Sequence, residues 1–247
     1  MTSQKTTARV AIVTDSRGTL LDHVFAHSTF LENLGLVVTD GECGAVAVAR
    51  KYGLPCRIIS EPDNLSLSDR IATRCRDAQI DYIFSIFSRL FRGELLQAYA
   101  NRIVNLHPSL LPAFPGMGSL DKSLDSGVRY LGATVHVVDG GVDTGPIIAQ
   151  TITHWDGRDR ARAIHRCFQA QCQLTLQALN YLVNGRLRFV DGRVDILGAA
   201  FGPGEFSPLL DDPGALSLDI PFPGRACRDG EEVTDSDQMD GRSKTCC

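Results

Sequence analysis

A series of short apolar runs, separated by longer stretches of helical spacing, constrains this chain more than any other feature. Val10-Ala11-Ile12-Val13 opens the series, and Leu36-Val37-Val38, Arg57-Ile58-Ile59 and Tyr82-Ile83-Phe84-Ser85-Ile86 continue it. Runs of this length suit strands buried on both faces of a sheet. Between them, residues 20–34, 43–52 and 67–78 read as helices, the second stopped by Gly53 and Pro55. The rhythm predicts an α/β fold: a Rossmann-like, mostly parallel sheet with helices on both faces. Ligands of such sheets bind in the crevice beyond the carboxyl ends of the strands.

The rest of the chain extends the pattern. Residues 103–106 form the next strand. Pro108, Pro112, Pro115, Gly116 and Gly118 then mark a loop that excludes regular helix or sheet. A helix to about residue 126, a strand over 133–138, the loop Asp139-Gly140-Gly141-Val142-Asp143 and a strand over 147–152 follow. Asp156 is the expected N-cap of a long helix over 158–183. Ile164, Phe168, Thr175, Leu179 and Leu182 give that helix an apolar face, and Asn184-Gly185 ends it. Residues 187–190 and 194–197 form a hairpin, since Asp191-Gly192 suits a tight I′ turn. Beyond residue 197, Pro203, Pro208, Pro213, Pro221 and Pro223 punctuate a segment without periodicity. From about Arg228 the chain is polar and acidic. The expected organisation is a catalytic domain over 1–200 and a Pro-rich, then acidic, extension over 201–247, with roughly the last 20 residues disordered.

Composition narrows the function classes. A chain of 247 residues, 43% hydrophobic, buries a sizeable core without disulfides or a structural metal. A formal net charge of −4 argues against nucleic-acid and membrane-surface partners, which attract clustered Lys and Arg. No apolar stretch approaches the ~20 residues of a membrane helix, and the segment from Met1 to Arg9 lacks an apolar signal core. A cytoplasmic protein is expected. The 8 cysteines include no Cys-x-x-Cys pair, so reduced thiols are expected rather than disulfides or zinc. The terminal Cys246-Cys247 resembles a prenyl-acceptor end.

The chemistry-bearing segment is Asn105-Leu106-His107-Pro108-Ser109-Leu110-Leu111-Pro112. Residues i and i+2 of a strand point to one side, so Asn105 and His107 project together at a strand's carboxyl end. A histidine transfers protons near neutral pH, and an asparagine amide is a neutral donor for a developing oxyanion. A carboxylate completes such a set, and Asp143 is the candidate. Spacing alone equally fits an Asn and a His that satisfy local backbone groups.

Continued through Ala113-Phe114-Pro115-Gly116, this stretch resembles the signature of the folate-dependent formyltransferases, the family that includes the glycinamide ribonucleotide (phosphoribosylglycinamide) enzymes. Gly132-Ala133-Thr134-Val135-His136-Val137-Val138-Asp139, continuing through Gly140-Gly141-Val142-Asp143-Thr144-Gly145-Pro146-Ile147-Ile148, is similar to the family's second signature. The likeness is dense over 80–150, looser over 10–192, and does not cover the tail. It implies formyl transfer from 10-formyltetrahydrofolate to a primary amine, without metal, by a catalytic trio of Asn105, His107 and Asp143. In that mechanism Asn105 and protonated His107 stabilise the oxyanion, and Asp143 keeps His107 charged and positions a proton-carrying water. The implied folate pocket takes main-chain groups of Ser88-Arg89-Leu90-Phe91, apolar walls from Leu90 and Phe91, the amide of Asn105, and Asp139-Gly140-Gly141 on the other side. Residues 113–118 resemble the mobile loop that closes over the site.

The acceptor side departs from the family. Arg17-Gly18-Thr19 stands where relatives carry a Gly-Ser-Asn loop for a ribose phosphate, and Cys172, near Gln169 and Gln171, stands where they carry a glutamate. A loop before a helix still suits an anion, with Arg17 adding charge, and a plain polar turn fits equally. Core packing is the commoner role of a lone helical cysteine such as Cys172. Glycinamide ribonucleotide, and hence purine biosynthesis, is the family-default reading, with an amino sugar or natural-product amine as alternatives. A formyltetrahydrofolate deformylase ranks lower, because those enzymes usually carry an N-terminal regulatory domain and the first strand here begins near Val10. A methionyl-tRNA formyltransferase ranks lower again, and a non-catalytic folate-binding protein is the third class. The expected partner is a small-molecule amine, and the expected assembly is a monomer or homodimer.

Overall fold

The computed structural model describes residues 7–214, 220 and 221. In chain order the elements are β1 (Val10–Thr14), α1 (Thr19–Ala26), β2 (Leu34–Thr39), α2 (Gly44–Lys51), β3 (Cys56–Ile58), α3 (Asn64–Asp77), β4 (Tyr82–Ile86) and α4 (Gly93–Ala98). They continue with β5 (Ile103–His107), α5 (Ser119–Asp125), β6 (Tyr130–Val137), β7 (Ile147–His154), α6 (Arg160–Val183), β8 (Leu187–Val190), β9 (Arg193–Ile196) and β10 (Phe206–Ser207). The main sheet runs β10-β7-β6-β5-β4-β1-β2-β3, and β8-β9 form a separate hairpin. Strands β3, β2, β1, β4 and β5 are parallel; β6 is antiparallel to β5 and β7, and β10 is antiparallel to β7. The mostly parallel α/β sheet is therefore present.

Strand parity sorts the core into two layers. Val10 and Ile12 of β1 join Phe84, Val104 and Val135 under α1, α2 and α6, where Leu21, Phe25, Ala45, Leu174 and Tyr181 pack. Ala11 and Val13 point to the opposite face and join Ile83 and Ile103 under α3 and α4, against Leu67, Ile71 and Leu95. Every residue of β1 and β2 is buried, as a two-sided sheet requires. Each fully buried Leu or Ile of this kind contributes ~1.5–3 kcal/mol relative to exposure.

Several boundaries differ from the sequence reading. The first helix ends at Ala26, well before residue 34, and a short 3-10 turn at Leu31–Asn33 leads into β2. Ser28 Oγ accepts from the Phe30 N–H at 3.2 Å, and Leu34 already pairs with Val10, so sheet pairing claims residues that helical spacing also fits. The cap of α6 is Asp159, not Asp156: Asp159 Oδ1 accepts from Arg162 N–H at 2.9 Å, whereas Asp156 Oδ1 closes a turn onto Arg158 N–H at 3.0 Å. Helix α3 begins at Asn64 because the Asp63 carboxylate accepts from the N–H groups of Leu65 and Ser66, both at 2.9 Å. The hairpin turn has φ +49° at Asp191 and +75° at Gly192, the left-handed pair that I′ geometry needs.

The described residues past 200 stay on the domain. Phe206 and Ser207 pair with Thr151 and Gln150 at the sheet edge, and Ile220 is buried in the core beneath α6. The expected disorder of the last residues, and Cys227, Cys246 and Cys247, lie outside the described residues. Among the described residues the cysteines are free thiols, and no helix is long and apolar enough to cross a membrane.

Candidate active site

The sheet brings the expected trio together. Asn105 and His107 face the same way near the end of β5, and the loop after β6 returns Asp143 to them. His107 is 5% exposed; its Nδ1 lies 3.4 Å from Asp143 Oδ2. Its Nε2 lies 3.0 Å from the Phe114 carbonyl, which only accepts, so Nε2 carries hydrogen. Both ring nitrogens therefore face acceptors. Asp143 adopts φ +54°, a left-handed conformation that Asp tolerates better than most side chains.

His136, to which the sequence reading gave no role, completes the cluster. It sits opposite Asn105 in the β5–β6 register. Its Nδ1 donates to the Val137 carbonyl at 2.9 Å, and burial pushes its pKa below the ordinary histidine value, against smaller upward pulls from that bond and from Asp143. Burial thus favours the neutral ring, which with Nδ1–H bonded to Val137 offers a lone pair on Nε2. Asn105 Nδ2, 3.3 Å away, donates to that lone pair. This fixes which end of the Asn105 amide is the donor end and leaves its second N–H for a ligand. Asp143 Oδ1 is 3.5 Å from the same Nε2. Cross-strand pairing of two polar residues was the signal, and it is visible only once β5 and β6 are placed side by side.

The Pro- and Gly-rich loop lies over the trio. Gly116 N–H donates to Asp143 Oδ2 at 2.7 Å, and Ser109 Oγ donates to the Ala113 carbonyl at 2.8 Å. The loop's base is pinned to the sheet. Thr134 Oγ1 donates to the Ser109 carbonyl at 2.7 Å and accepts from Leu111 N–H at 3.0 Å, while Gln150 Nε2 donates to the Leu111 carbonyl at 2.9 Å. Thr134 and Gln150 are paired across β6 and β7 and also escaped the sequence reading.

The expected folate segment flanks this cluster, because β4 lies beside β5 with Ser85 paired to Asn105. Ser88 donates through both N–H and Oγ to Asp15 Oδ2, so its N–H is already occupied. Arg89 donates to Asn64 Oδ1 at 2.9 Å, Asp40 Oδ2 at 2.8 Å and the Glu61 carbonyl at 2.9 Å. These bonds clamp the 88–91 turn to the ends of β2 and α3. Leu90 is half-buried; Phe91 is buried and stacks on Phe87 at 5.8 Å. On the other side, Asp139 Oδ1 accepts from Gly141 N–H and Thr144 Oγ1, both at 2.8 Å, leaving Gly140 and Gly141 exposed. A Cβ at Gly145 would lie 1.9 Å from the Val137 carbonyl oxygen, so only glycine lets this loop turn back.

The expected acceptor residues divide. Arg17, Gly18 and Thr19 follow β1, two strands from β5, or about 10 Å at ordinary strand spacing. Gly18, at φ +83°, packs on Gly44, whose own Cβ would lie 1.8 Å from the Arg17 carbonyl oxygen. Arg17 and Thr19 are exposed, and among the described residues the Arg17 guanidinium has no partner. Cys172 does not join them. It is 0% exposed in the core, and burial pushes its thiol up to about 12, so it packs rather than binds.

Residues 34–177 match the family described as formyl transferase. The phosphoribosylglycinamide formyltransferase of Mycobacterium tuberculosis (strain H37Rv) is 31% identical over 198 residues, covering 77% of this chain and 92% of that protein. The Bacillus subtilis protein of the same name is 49% identical over 80 residues, a match that spans 32% of this chain and only 41% of that protein. The crystal structure of glycinamide ribonucleotide transformylase 1 from Symbiobacterium toebii superposes with a TM-score of 0.72 at 29% identity, covering 80% of this chain and 97% of that one.

Proposed function

Since the chain belongs to the formyl transferase family, we propose that it moves the formyl group of 10-formyltetrahydrofolate to the primary amine of glycinamide ribonucleotide, a step of purine biosynthesis. The observation that carries this reading is the cluster of His107, Asp143 and Asn105, with the amide of Asn105 oriented by a neutral His136.

The residues suit both reactants. The half-buried Leu90 and the stacked Phe87–Phe91 pair offer an apolar wall for a flat heterocycle, and the exposed backbone of Gly140 and Gly141 allows close approach from the other side. Arg17, without a partner among the described residues, suits the acceptor's phosphate.

The donor supplies an activated formyl carbon, and the amine nitrogen attacks it. Asn105 Nδ2–H donates to the formyl oxygen as negative charge develops there, and His107 Nε2–H joins it by exchanging the Phe114 carbonyl for that oxygen. Asp143 Oδ2, 3.4 Å from Nδ1, orients the ring for that donation. The carbon–nitrogen bond to the folate then breaks, and the proton lost by the amine goes to the departing folate nitrogen, passed by the Asp143–His107 pair.

The test follows donor consumption with and without glycinamide ribonucleotide. Tetrahydrofolate should form only when the amine is present, with formylated amine in equal amount. Donor loss without amine would make the chain a hydrolase, and folate binding without turnover would make it a binding protein. Either result overturns the reading.

A further inference from the structure

The register of the sheet runs one row of residues into the site. Val13 of β1 pairs with Ser85 of β4, and Ser85 pairs with Asn105 of β5. Strand parity turns all three positions to the face of α3 and α4, where Val13, Ile83 and Ile103 pack. Two residues further along the same three stretches stand Asp15, Phe87 and His107. Asp15 is thus two strands from His107, or about 10 Å at ordinary strand spacing. Strands β2 and β3 lie to one side of β1, and β4 and β5 to the other, so Asp15 stands at the topological switch point, where ligands of such sheets bind.

Asp15 has no part in the catalytic cluster, yet its position is well defined. Thr14 Oγ1 donates to Ser16 Oγ at 2.8 Å and accepts from Ser16 N–H at 3.1 Å, which orders the loop around it. Ser88 donates to Asp15 Oδ2 through its N–H, at 3.1 Å, and through its Oγ. These two donors fill one carboxylate oxygen and orient the group. Asp15 is exposed, and its Oδ1 has no hydrogen bond among the described residues.

We propose that Asp15 is an acceptor-binding residue: its Oδ1 accepts a hydrogen bond from an N–H or O–H group in the middle of the acceptor, and Ser88 positions it. The inference rests on the formyl-transfer reading above and names a further contact of that same site. The acceptor's amine has to reach Asn105 and His107, and its phosphate suits Arg17. Asp15 precedes Arg17 by two residues, and its bond to Ser88 turns it toward β4, the strand between it and β5. Between amine and phosphate, glycinamide ribonucleotide carries two kinds of donor, the amide N–H and the ribose hydroxyls. A carboxylate oxygen accepts from either, and its charge disfavours acceptors that place an anion there.

Steady-state kinetics on the full chain test this, with 10-formyltetrahydrofolate as donor and glycinamide ribonucleotide as acceptor. In Asp15→Asn the amide oxygen stays on the two Ser88 donors, so an NH2 group takes the place of Oδ1 and meets a donor with a donor. The acceptor KM should rise by roughly tenfold or more, while the donor KM stays within about twofold. Ser88→Ala loosens the carboxylate and should raise the acceptor KM by about threefold, yet add nothing in the Asp15→Asn background. Free glycinamide keeps the amide and lacks the ribose. A loss that persists with it assigns the contact to the amide N–H, and a loss that disappears assigns it to the ribose hydroxyls. An unchanged acceptor KM in Asp15→Asn overturns the inference. So does a donor KM that rises with the acceptor KM, which marks Asp15 and Ser88 as a structural link between two loops. Should Asp15→Asn fail to fold, Ser88→Ala decides through the same two constants. A wild-type chain that formylates neither amine removes the parent reading, before any substitution is made.

Discussion

His136 links the site's chemistry to its stability. Its role as hydrogen-bond acceptor for Asn105 requires the neutral ring, and burial favours that form. The folded chain therefore binds fewer protons at this residue than the unfolded chain does. The resulting stability is fully present above the unfolded value of about 6.5 and is lost as pH falls through the lowered folded value. Melting curves at pH 7.5 and 5.5 should show the wild type losing more of its Tm than His136→Gln. Equal losses would mean that His136 is not buried in its neutral form. The i, i+2 spacing in the sequence placed Asn105 and His107 together, and the family likeness supplied Asp143. His136, Thr134 and Gln150 were not legible, because their roles arise from cross-strand neighbours with no local signal. Cys172 misled for the same reason: a position in a sequence does not state which way a helix turns its side chain.

At the scale of elements, local chemistry was legible where it acts locally. The Asp191-Gly192 turn and the strand β4 were read residue for residue. The end of α1 was not, because the competing partner of Leu34 is Val10 on another strand. Strand β10 has the same cause, being two residues defined wholly by their pairing with β7. The cap of α6 was misplaced between two aspartates that look alike in sequence and differ in what they reach. Asp159→Ala should lower stability by ~1 kcal/mol, within the range of lost N-caps, and Asp156→Ala by clearly less. Urea unfolding of the two variants makes the comparison, and the reverse order would contradict the observed cap.

At the scale of the molecule, alternating strands and helices made the fold class legible, but strand order depends on pairings that no local pattern records. The reversal of β6 between two parallel-running neighbours sets the site, because it lays His136 against Asn105 and sends the following loop back with Asp143. The described residues after 200 had no periodicity to read, since Leu209 and Ile220 are held through their backbone carbonyls by Gln177, Gln169 and His165. Residues 201–214 should unfold with the rest of the domain. Gln177→Leu removes the hydrogen bonds to the part-buried Leu209 carbonyl and from Asp211 N–H, at a cost of ~0.5–1.5 kcal/mol each. Its denaturation should remain a single transition with a lower midpoint; an unchanged midpoint would show that the contact stabilises nothing.

The central claim is that β5, β6 and the returning loop assemble a formyl-transfer site, and a labelled formyl group tests it most directly. With 10-formyltetrahydrofolate carrying label in the formyl carbon, the wild-type chain should place that label on the amine of glycinamide ribonucleotide. His107→Ala should do so about 10²–10⁴-fold more slowly, as expected for loss of a proton-transferring side chain. Label appearing as free formate, or label reaching the amine at an undiminished rate in His107→Ala, would contradict the account.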